Sequence, residues 1–153
     1  MSSIRSHRDL RAWQLAMDFA NRVMKAANTL PQREAAGLAS QMRRSAVSVP
    51  SNIAEGFGRG SRVDYTRFLK VARGSLFELD TQLQLARDMG YITTRGHESL
   101  HADWNDVSKV LAGLIRHMQS PKAASSATNA ESRITNADSK GSLKHGRRKA
   151  TES

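Results

Sequence analysis

The pentapeptide HESLH places His97, Glu98 and His101 at the spacing of a helical zinc-hydrolase motif. On a helix both imidazoles would lie on one face and offer nitrogen ligands to zinc, with the glutamate as general base. The third ligand is missing, because Trp104 and Val107 occupy the positions where the extended motif has glycine and histidine. No other acid–base or nucleophilic constellation appears, so we expect no metal, no cofactor and no catalysis. A zinc hydrolase is kept as a minor alternative.

The stretch NIAEGFGRGSR contains Gly56, Gly58 and Gly60 and raises the question of a phosphate-binding loop. A dinucleotide or Walker loop follows a strand and opens a helix, whereas the residues before this stretch have helical periodicity. The G-x-G-x-G spacing also matches neither loop. We therefore interpret the glycines as the corner between two helices, where they permit positive φ angles. Ser61 and Asp64 then form an S-x-x-D start signal for the next helix.

The chain of 153 residues is strongly basic, since 24 Lys+Arg oppose 14 Asp+Glu and give a formal net charge of +10. This balance favours an acidic partner such as nucleic acid. The excess is distributed along the chain, with a net +6 in residues 1–119 and a net +4 in residues 120–153. We predict phosphate contacts to structured nucleic acid, with RNA favoured, from the basic residues of the second and third helices and their corner. These residues are Arg43, Arg44, Arg59, Arg62, Arg67, Lys70 and Arg73.

Several functional classes are excluded by composition. The chain has no cysteine, and therefore no disulfide and no thiolate metal site. No apolar run approaches the roughly 18 residues of a membrane span, and the first residues lack the apolar core of a secretory signal. We expect a cytoplasmic, bacterial-type protein without a membrane partner.

Residues 120–153 differ in composition from the rest of the chain. They contain only two large aliphatic residues, Ile134 and Leu143, and no aromatic residue. Such a segment cannot bury enough apolar surface to offset its ordering entropy, so we predict a disordered basic tail. It ends in the cluster KHGRRK, which is either solvated or an electrostatic arm for nucleic acid.

Residues 1–119 have helical periodicity almost throughout and no convincing strand pattern. Four apolar stripes with short connections predict an all-α, antiparallel up-down-up-down four-helix bundle. The first stripe comprises Leu10, Trp13, Met17, Ala20, Met24 and Ala27, and the second Leu38, Met42, Ala46, Val49 and Ile53. The third comprises Tyr65, Phe68, Leu69, Ala72, Leu76, Leu79, Leu83 and Ala86, and the fourth Leu100, Trp104, Val107, Leu111, Leu114 and Met118.

Local signals mark the ends of these helices. Ser6 and Asp9 resemble a capping box at the start of the first helix, and Pro31 should end it. Gly90 supplies a left-handed stop after the third helix. Pro50 lies within the second stripe and should kink or break that helix, because it lacks an N–H and its ring clashes with the preceding turn.

A second set of residues lies outside the core stripes and predicts a subunit interface. Val47, Val71 and Leu85 are apolar but off the stripes, as are Leu15 and Phe19 on the first helix. Several such residues on different helices indicate self-association, cyclic or isologous; solvent exposure is the alternative. The predicted interface comprises Val47, Asn52, Glu55, Val71, Gly74, Glu78, Gln82 and Leu85, with Arg44, Glu55, Glu78 and Gln82 forming a polar network across it.

The segments QMRRSAVSVPSNIAEG (41–56) and FLKVARGSLFELDTQ (68–82), with DLRAWQLAMDFA (9–20), resemble one family. This is the four-helix-bundle protein family, whose members include proteins encoded within intervening sequences of bacterial large-subunit ribosomal RNA genes. The resemblance covers about residues 7–119. It implies a left-handed antiparallel bundle assembled as a homopentamer, and a non-enzymatic role in binding RNA or a nucleoprotein. In a related branch, the accessory variability determinant (Avd) of diversity-generating retroelements, the partners are a reverse transcriptase and its template RNA.

Two main functions therefore stay open from the sequence. The first is a basic oligomer that binds structured RNA or a nucleoprotein partner through phosphate contacts. The second is a protein-interaction scaffold whose charge serves only solubility.

Overall fold

The computed structural model describes residues 3–121, which form four long helices joined by short connections. Within this range there is no strand, and the predicted all-α up-down-up-down bundle is confirmed. Beyond Pro121, the predicted disordered tail lies outside the described residues. The helices are α1 (Arg11–Asn28), α2 (Leu38–Gly58), α3 (Arg62–Asp88) and α4 (Thr94–Gln119).

The start of α1 differs from the prediction. Ser6 and Asp9 do form a capping box, in which Asp9 Oδ2 accepts from the Ser6 N–H at 2.9 Å. This box caps a short 3-10 turn, His7–Asp9, and α1 begins afterwards with Leu10 as an N-cap that makes no side-chain bond. The predicted start was therefore one turn too early, because a capping-box sequence fits any first helical turn, 3-10 included. The end of α1 before Pro31 is confirmed.

Pro50 was predicted to kink or break the helix. Helix α2 continues through it to Gly58, so a break is wrong and the kink stays a prediction. Pro50 is buried on the side of α2 that faces α1. Asn52 Nδ2 donates to the Ser48 carbonyl at 2.8 Å in the same part of the helix. Packing of α2 against both α1 and α3 therefore keeps the chain helical at Pro50, although proline has no N–H to donate to the preceding turn.

The core is built from all four helices. In α1, the face at the centre of the core differs from the predicted stripe. Phe19 and Val23 are 1% and 0% exposed and lie at its centre, whereas Trp13, Met17 and Met24 are only partly buried. The expectation that Phe19 lies outside the core was wrong. The apolar arc of α1, at about 100° per residue, is about 200° wide, so the pattern alone does not fix which part of the arc is central.

Helix α4 is fixed to its neighbours by polar contacts that cross the bundle. Trp104 Nε1 donates to the Leu76 carbonyl of α3 at 2.7 Å. Arg22 of α1 pairs with Asp103 and donates to Ser99 Oγ, the latter at 2.6 Å. Among residues 3–121, no helix is both long enough and apolar enough to cross a membrane.

Candidate nucleic-acid interface

The glycine stretch forms the corner between α2 and α3, as predicted. Gly56 and Gly58 belong to the last turns of α2, and only Gly60 has a positive φ, of 75°. Ser61 is the N-cap of α3, and its Oγ accepts from the Asp64 N–H at 3.1 Å. The left-handed residue and the cap together reverse the chain within the few residues after Gly56. Gly90 likewise has a positive φ, of 73°, and confirms the predicted stop after α3.

Gly56 has a packing role that the sequence pattern did not reveal. A Cβ at this position would lie 2.9 Å from Phe68 Cβ and 2.9 Å from Tyr65 Cδ2. The absence of a side chain therefore lets the end of α2 approach the start of α3 closely. This approach places residue 59, just after α2, beside the aromatic ring of Phe68.

Phe68 is contacted by two guanidinium groups at this corner. The Arg59 guanidinium carbon lies 5.1 Å from the ring centroid and that of Arg67 lies 4.9 Å from it. Each arginine also has one carboxylate partner, Glu55 at 2.6 Å and Asp64 at 3.1 Å. Half or more of each arginine side chain stays exposed, so the ion pairs are weak and the guanidinium groups keep donors that face solvent.

Three further basic residues lie exposed along the same two helices. Lys70 and Arg73 follow Arg67 on the outer surface of α3, and Arg44 lies on α2. Within residues 3–121 none of the three forms an ion pair. Spacing of three residues brings neighbouring side chains to about 5–6 Å of each other on a helix. We define Arg59, Arg67, Lys70 and Arg73 as the basic row.

Arg43 and Arg62, also predicted to contact nucleic acid, have structural partners. Arg43 Nη2 donates to Asn28 Oδ1 at 2.9 Å and to the Ala27 carbonyl at 3.5 Å, at the end of α1. Arg62 Nη2 donates to the carbonyls of residues 117 and 118, at the end of α4. Arg62 thus satisfies carbonyls that the end of α4 leaves without an intrahelical partner. Arg43 instead links α2 to the end of α1, where the Ala27 carbonyl also accepts from the Leu30 N–H.

A cluster of hydroxyl and amide groups occupies the seam between α2 and α3. Ser48 Oγ lies 2.7 Å from Ser75 Oγ, and Asn52 Nδ2 donates to Ser48 Oγ at 3.0 Å. Gln82, 9% exposed, donates through Nε2 to Ser45 Oγ at 3.0 Å. Sequence reasoning named Asn52 and Gln82 but missed the serines; their helical spacing at the edge of the apolar stripes was the available signal. A groove of about 390 Å³ opens above this seam and is lined by Gln41, Arg44, Ser45, Ser48, Ser75 and Glu78.

The predicted interface residues lie mostly on the exposed side of α2 and α3. Val47, Val71 and Leu85 are 50%, 48% and 49% exposed. Gly74 is open, since a Cβ there would meet nothing within 4 Å. Glu55 pairs with an arginine of its own chain, as described above, and Gln82 is already bonded within the seam. The predicted network between subunits stays a prediction.

The two histidines of HESLH lie on one face of α4, against α3, whereas Glu98 is exposed. His101 Nδ1 is 3.1 Å from Asp80 Oδ1, and the His97 and His101 rings stack with centroids 5.9 Å apart. His97 is 7% exposed, and its Nε2 is buried with no hydrogen-bond partner in the described part of the chain. Burial lowers the pKa of His97, assisted by Arg87 and His101 and opposed by Asp80 and Asp88. Across residues 3–121, no three His, Cys, Asp or Glu side chains converge as a metal site would require.

Comparisons with known proteins agree with this fold. The family model described as 23S rRNA-intervening sequence protein matches residues 8–113. A crystal structure from Bacteroides thetaiotaomicron, described as a protein with unknown function from the S23 ribosomal protein family, has a TM-score of 0.64 and 27% sequence identity. The match covers 68% of this chain and 97% of that one. No curated protein matches the sequence. The matched span covers most of the chain, which therefore belongs to the 23S rRNA-intervening sequence protein family.

Proposed function

We propose that this protein binds structured RNA through phosphate contacts, without catalysis, and that it does so as a homo-oligomer. The observation that carries the proposal is the basic row along the corner and the outer surface of α3, with Arg44 exposed on the neighbouring helix α2. Lys70 and Arg73 are exposed and form no ion pair within residues 3–121. A lysine or arginine without an ion-pair partner is available to pair with a phosphate. Its binding releases counterions that were associated with the nucleic acid.

The side chains on this surface favour contacts to the RNA phosphate backbone over recognition of individual bases. The one aromatic ring in the row, Phe68, is flanked by Arg59 and Arg67. A ring that already contacts two guanidinium groups is a poor platform for a stacked base, which single-strand readers require. Guanidinium and ammonium groups at helical spacing instead favour a folded RNA whose phosphates lie close together. Binding RNA would also place the protein in the cytoplasm.

The proposal is tested by binding of the full-length protein to a labelled RNA hairpin across a salt series. The test variant is Lys70→Ala with Arg73→Ala. The matched control is Arg95→Ala with Lys109→Ala, which removes the same two charge types from the exposed face of α4. Because all these proteins share the same C-terminal residues, any contribution from the tail is common to the comparison.

We expect the test variant to bind at least severalfold more weakly than the control. The slope of log affinity against log salt should fall by about one unit for each phosphate that the variant can no longer bind. Equal affinities for test and control variants would show that RNA does not bind at the basic row. Absence of binding by the wild-type protein at low salt would overturn the nucleic-acid proposal and favour a protein-interaction scaffold.

A further inference from the structure

His97 is the only buried residue between Ala86 and Leu100, a stretch that contains the end of α3, the α3–α4 connection and the first turn of α4. It is 7% exposed and begins the buried stripe of α4, which continues through Leu100, Val107 and Leu111. Such a position is ordinarily apolar, because burial disfavours a group that can ionise. The residue that anchors the start of α4 in the core is therefore one that can acquire a charge.

Contacts to other helices hold the chain on both sides of this anchor. Before it, the Tyr91 hydroxyl donates to Glu34 Oε1 at 2.9 Å. After it, Ser99 Oγ accepts from Arg22 Nη2 at 2.6 Å. Residues 92–98 lie between these two contacts, and we call them the α4 entry segment. The anchor is the one buried side chain of this segment, so its packing decides whether the segment stays on the bundle.

The surroundings of His97 suit the neutral ring and disfavour the imidazolium. Both ring nitrogens of an imidazolium carry a proton, and the buried Nε2 has no acceptor in the described part of the chain. The His101 ring stacks on the His97 ring with centroids 5.9 Å apart, and Arg87 adds a positive charge nearby. Within residues 3–121 no third metal-ligating side chain joins the two histidines, so their nitrogens are free to titrate.

The two carboxylates that face His97 are already engaged by other donors. Asp80 Oδ1 lies 3.1 Å from Nδ1 of His101. Asp88 Oδ1 accepts from Gln84 Nε2 at 2.8 Å and from Arg87 Nη2 at 3.2 Å. These acidic groups favour the charged ring, but burial opposes them and is the largest influence, so the pKa of His97 is lowered.

We propose that His97 is an acid-sensitive latch: the neutral ring holds the α4 entry segment on the bundle, and protonation releases that segment while the rest of the bundle stays folded. Release brings the imidazolium into water, which supplies the missing acceptor. The contacts of Tyr91 and Ser99 involve no histidine and limit the opening to residues 92–98. Because opening takes up one proton, the opening constant should rise by up to about tenfold per pH unit below about pH 6.5. The rise should end at the pKa of the ring in the closed state.

Amide hydrogen exchange of the full-length protein, followed by NMR between about pH 7 and pH 5, tests this proposal. The reporting amides are those of residues 97–101, which donate to the carbonyls of residues 93–97, and the reference amides are those of residues 111–115 in the same helix. Protection factors remove the pH dependence of the exchange chemistry itself. We expect protection of the reporting amides to fall about tenfold and that of the reference amides to change less than about twofold. Unchanged reporting amides, or an equal fall in both sets, would overturn the proposal.

Two variants identify the group that titrates. His97→Leu retains a buried anchor without a charge, so its reporting amides should be protected equally at both ends of the pH range. His117→Leu, at an exposed position of the same helix, should keep the wild-type fall. A fall of wild-type size in His97→Leu would assign the effect to another group and overturn the proposal.

A measurement on the wild-type protein avoids any change of packing by leucine. The NMR signals of the His97 ring carbons follow its protonation in the closed state. We expect the ring to titrate below about pH 6.5, and the loss of amide protection to level off near the same pH. A ring that titrates above about pH 6.5 would show that the closed state favours the imidazolium, and the latch would be refuted.

Discussion

Gly56 and Gly58 belong to the same helix end, yet alanine should have opposite effects on stability at the two positions. A Cβ at residue 56 would lie 2.9 Å from Phe68 Cβ and 3.2 Å from the Tyr65 carbonyl oxygen. These are backbone or near-backbone atoms, so they can move aside only if α2 and α3 separate. A Cβ at residue 58 would meet nothing within 4 Å.

The expected magnitudes follow from two opposing terms. Alanine is better than glycine inside a helix by about 1 kcal/mol, whereas overpacking a tight contact costs about 1–3 kcal/mol. At residue 56 two contacts of 2.9 Å place the cost in the upper part of this range, about 2–3 kcal/mol. After subtraction of the helix term, we expect a net destabilisation of about 1–2 kcal/mol. At residue 58 only the first term acts, reduced because this is the last helical residue, and we expect stabilisation of about 0.5 kcal/mol.

The assay is urea unfolding followed by circular dichroism at one protein concentration, because self-association adds to apparent stability. The two variants should differ by about 2 kcal/mol, or several degrees in Tm. The reasoning is refuted if Gly56→Ala is as stable as Gly58→Ala. Loss of the close approach should also displace Phe68 from Arg59, so Gly56→Ala should bind RNA more weakly than Gly58→Ala.

Two further predictions concern pH and helix capping. Because burial lowers the pKa of His97, the folded state favours the neutral ring; the stability this residue contributes is complete above about pH 6.5 and is lost as pH falls. Between about pH 7 and pH 5, the free energy of unfolding should therefore fall less steeply in His97→Leu than in the wild-type protein. The control is His117→Leu, at an exposed position, which should keep the wild-type slope. Equal slopes for His97→Leu and the wild-type protein would contradict this prediction. Ser61→Ala should cost about 1 kcal/mol in urea unfolding, because it removes the oxygen that accepts from the Asp64 N–H, and an unchanged midpoint would show that the cap contributes nothing.

Helical period and turn chemistry were sufficient to predict the number of helices and the position of the α2–α3 corner. Both depend on local signals, such as the Ser61 cap and the left-handed glycines at residues 60 and 90. The centre of the core face was harder to predict where apolar residues cover a wide arc. In α1 the choice between Phe19 and Met17 is made by packing across the bundle, and no local preference separates them.

The sequence identifies the basic residues of α2 and α3 but does not separate those that bond other parts of the bundle from those that stay exposed. Arg43 and Arg62 are of the same residue type as Arg59, yet they bond carbonyls at the ends of α1 and α4. Those carbonyls come from residues distant in the chain, and their positions follow only from the assembled bundle. For the same reason Pro50 did not end α2, because packing against two neighbouring helices outweighs one missing hydrogen bond.

Two residues of the basic row lie on a different face of α3 from the residues predicted for self-association, and this separation links the two parts of the proposed function. At about 100° per residue, Lys70 and Arg73 point about 60–160° away from Val71 and Leu85. An oligomer formed through Val71 and Leu85 would therefore leave Lys70 and Arg73 exposed on every copy. A folded RNA that reaches two copies binds the second at a high effective concentration, so each additional copy raises affinity without a new kind of contact. By thermodynamic linkage the same RNA would stabilise the oligomer, because it binds the associated form more tightly than the separate chains.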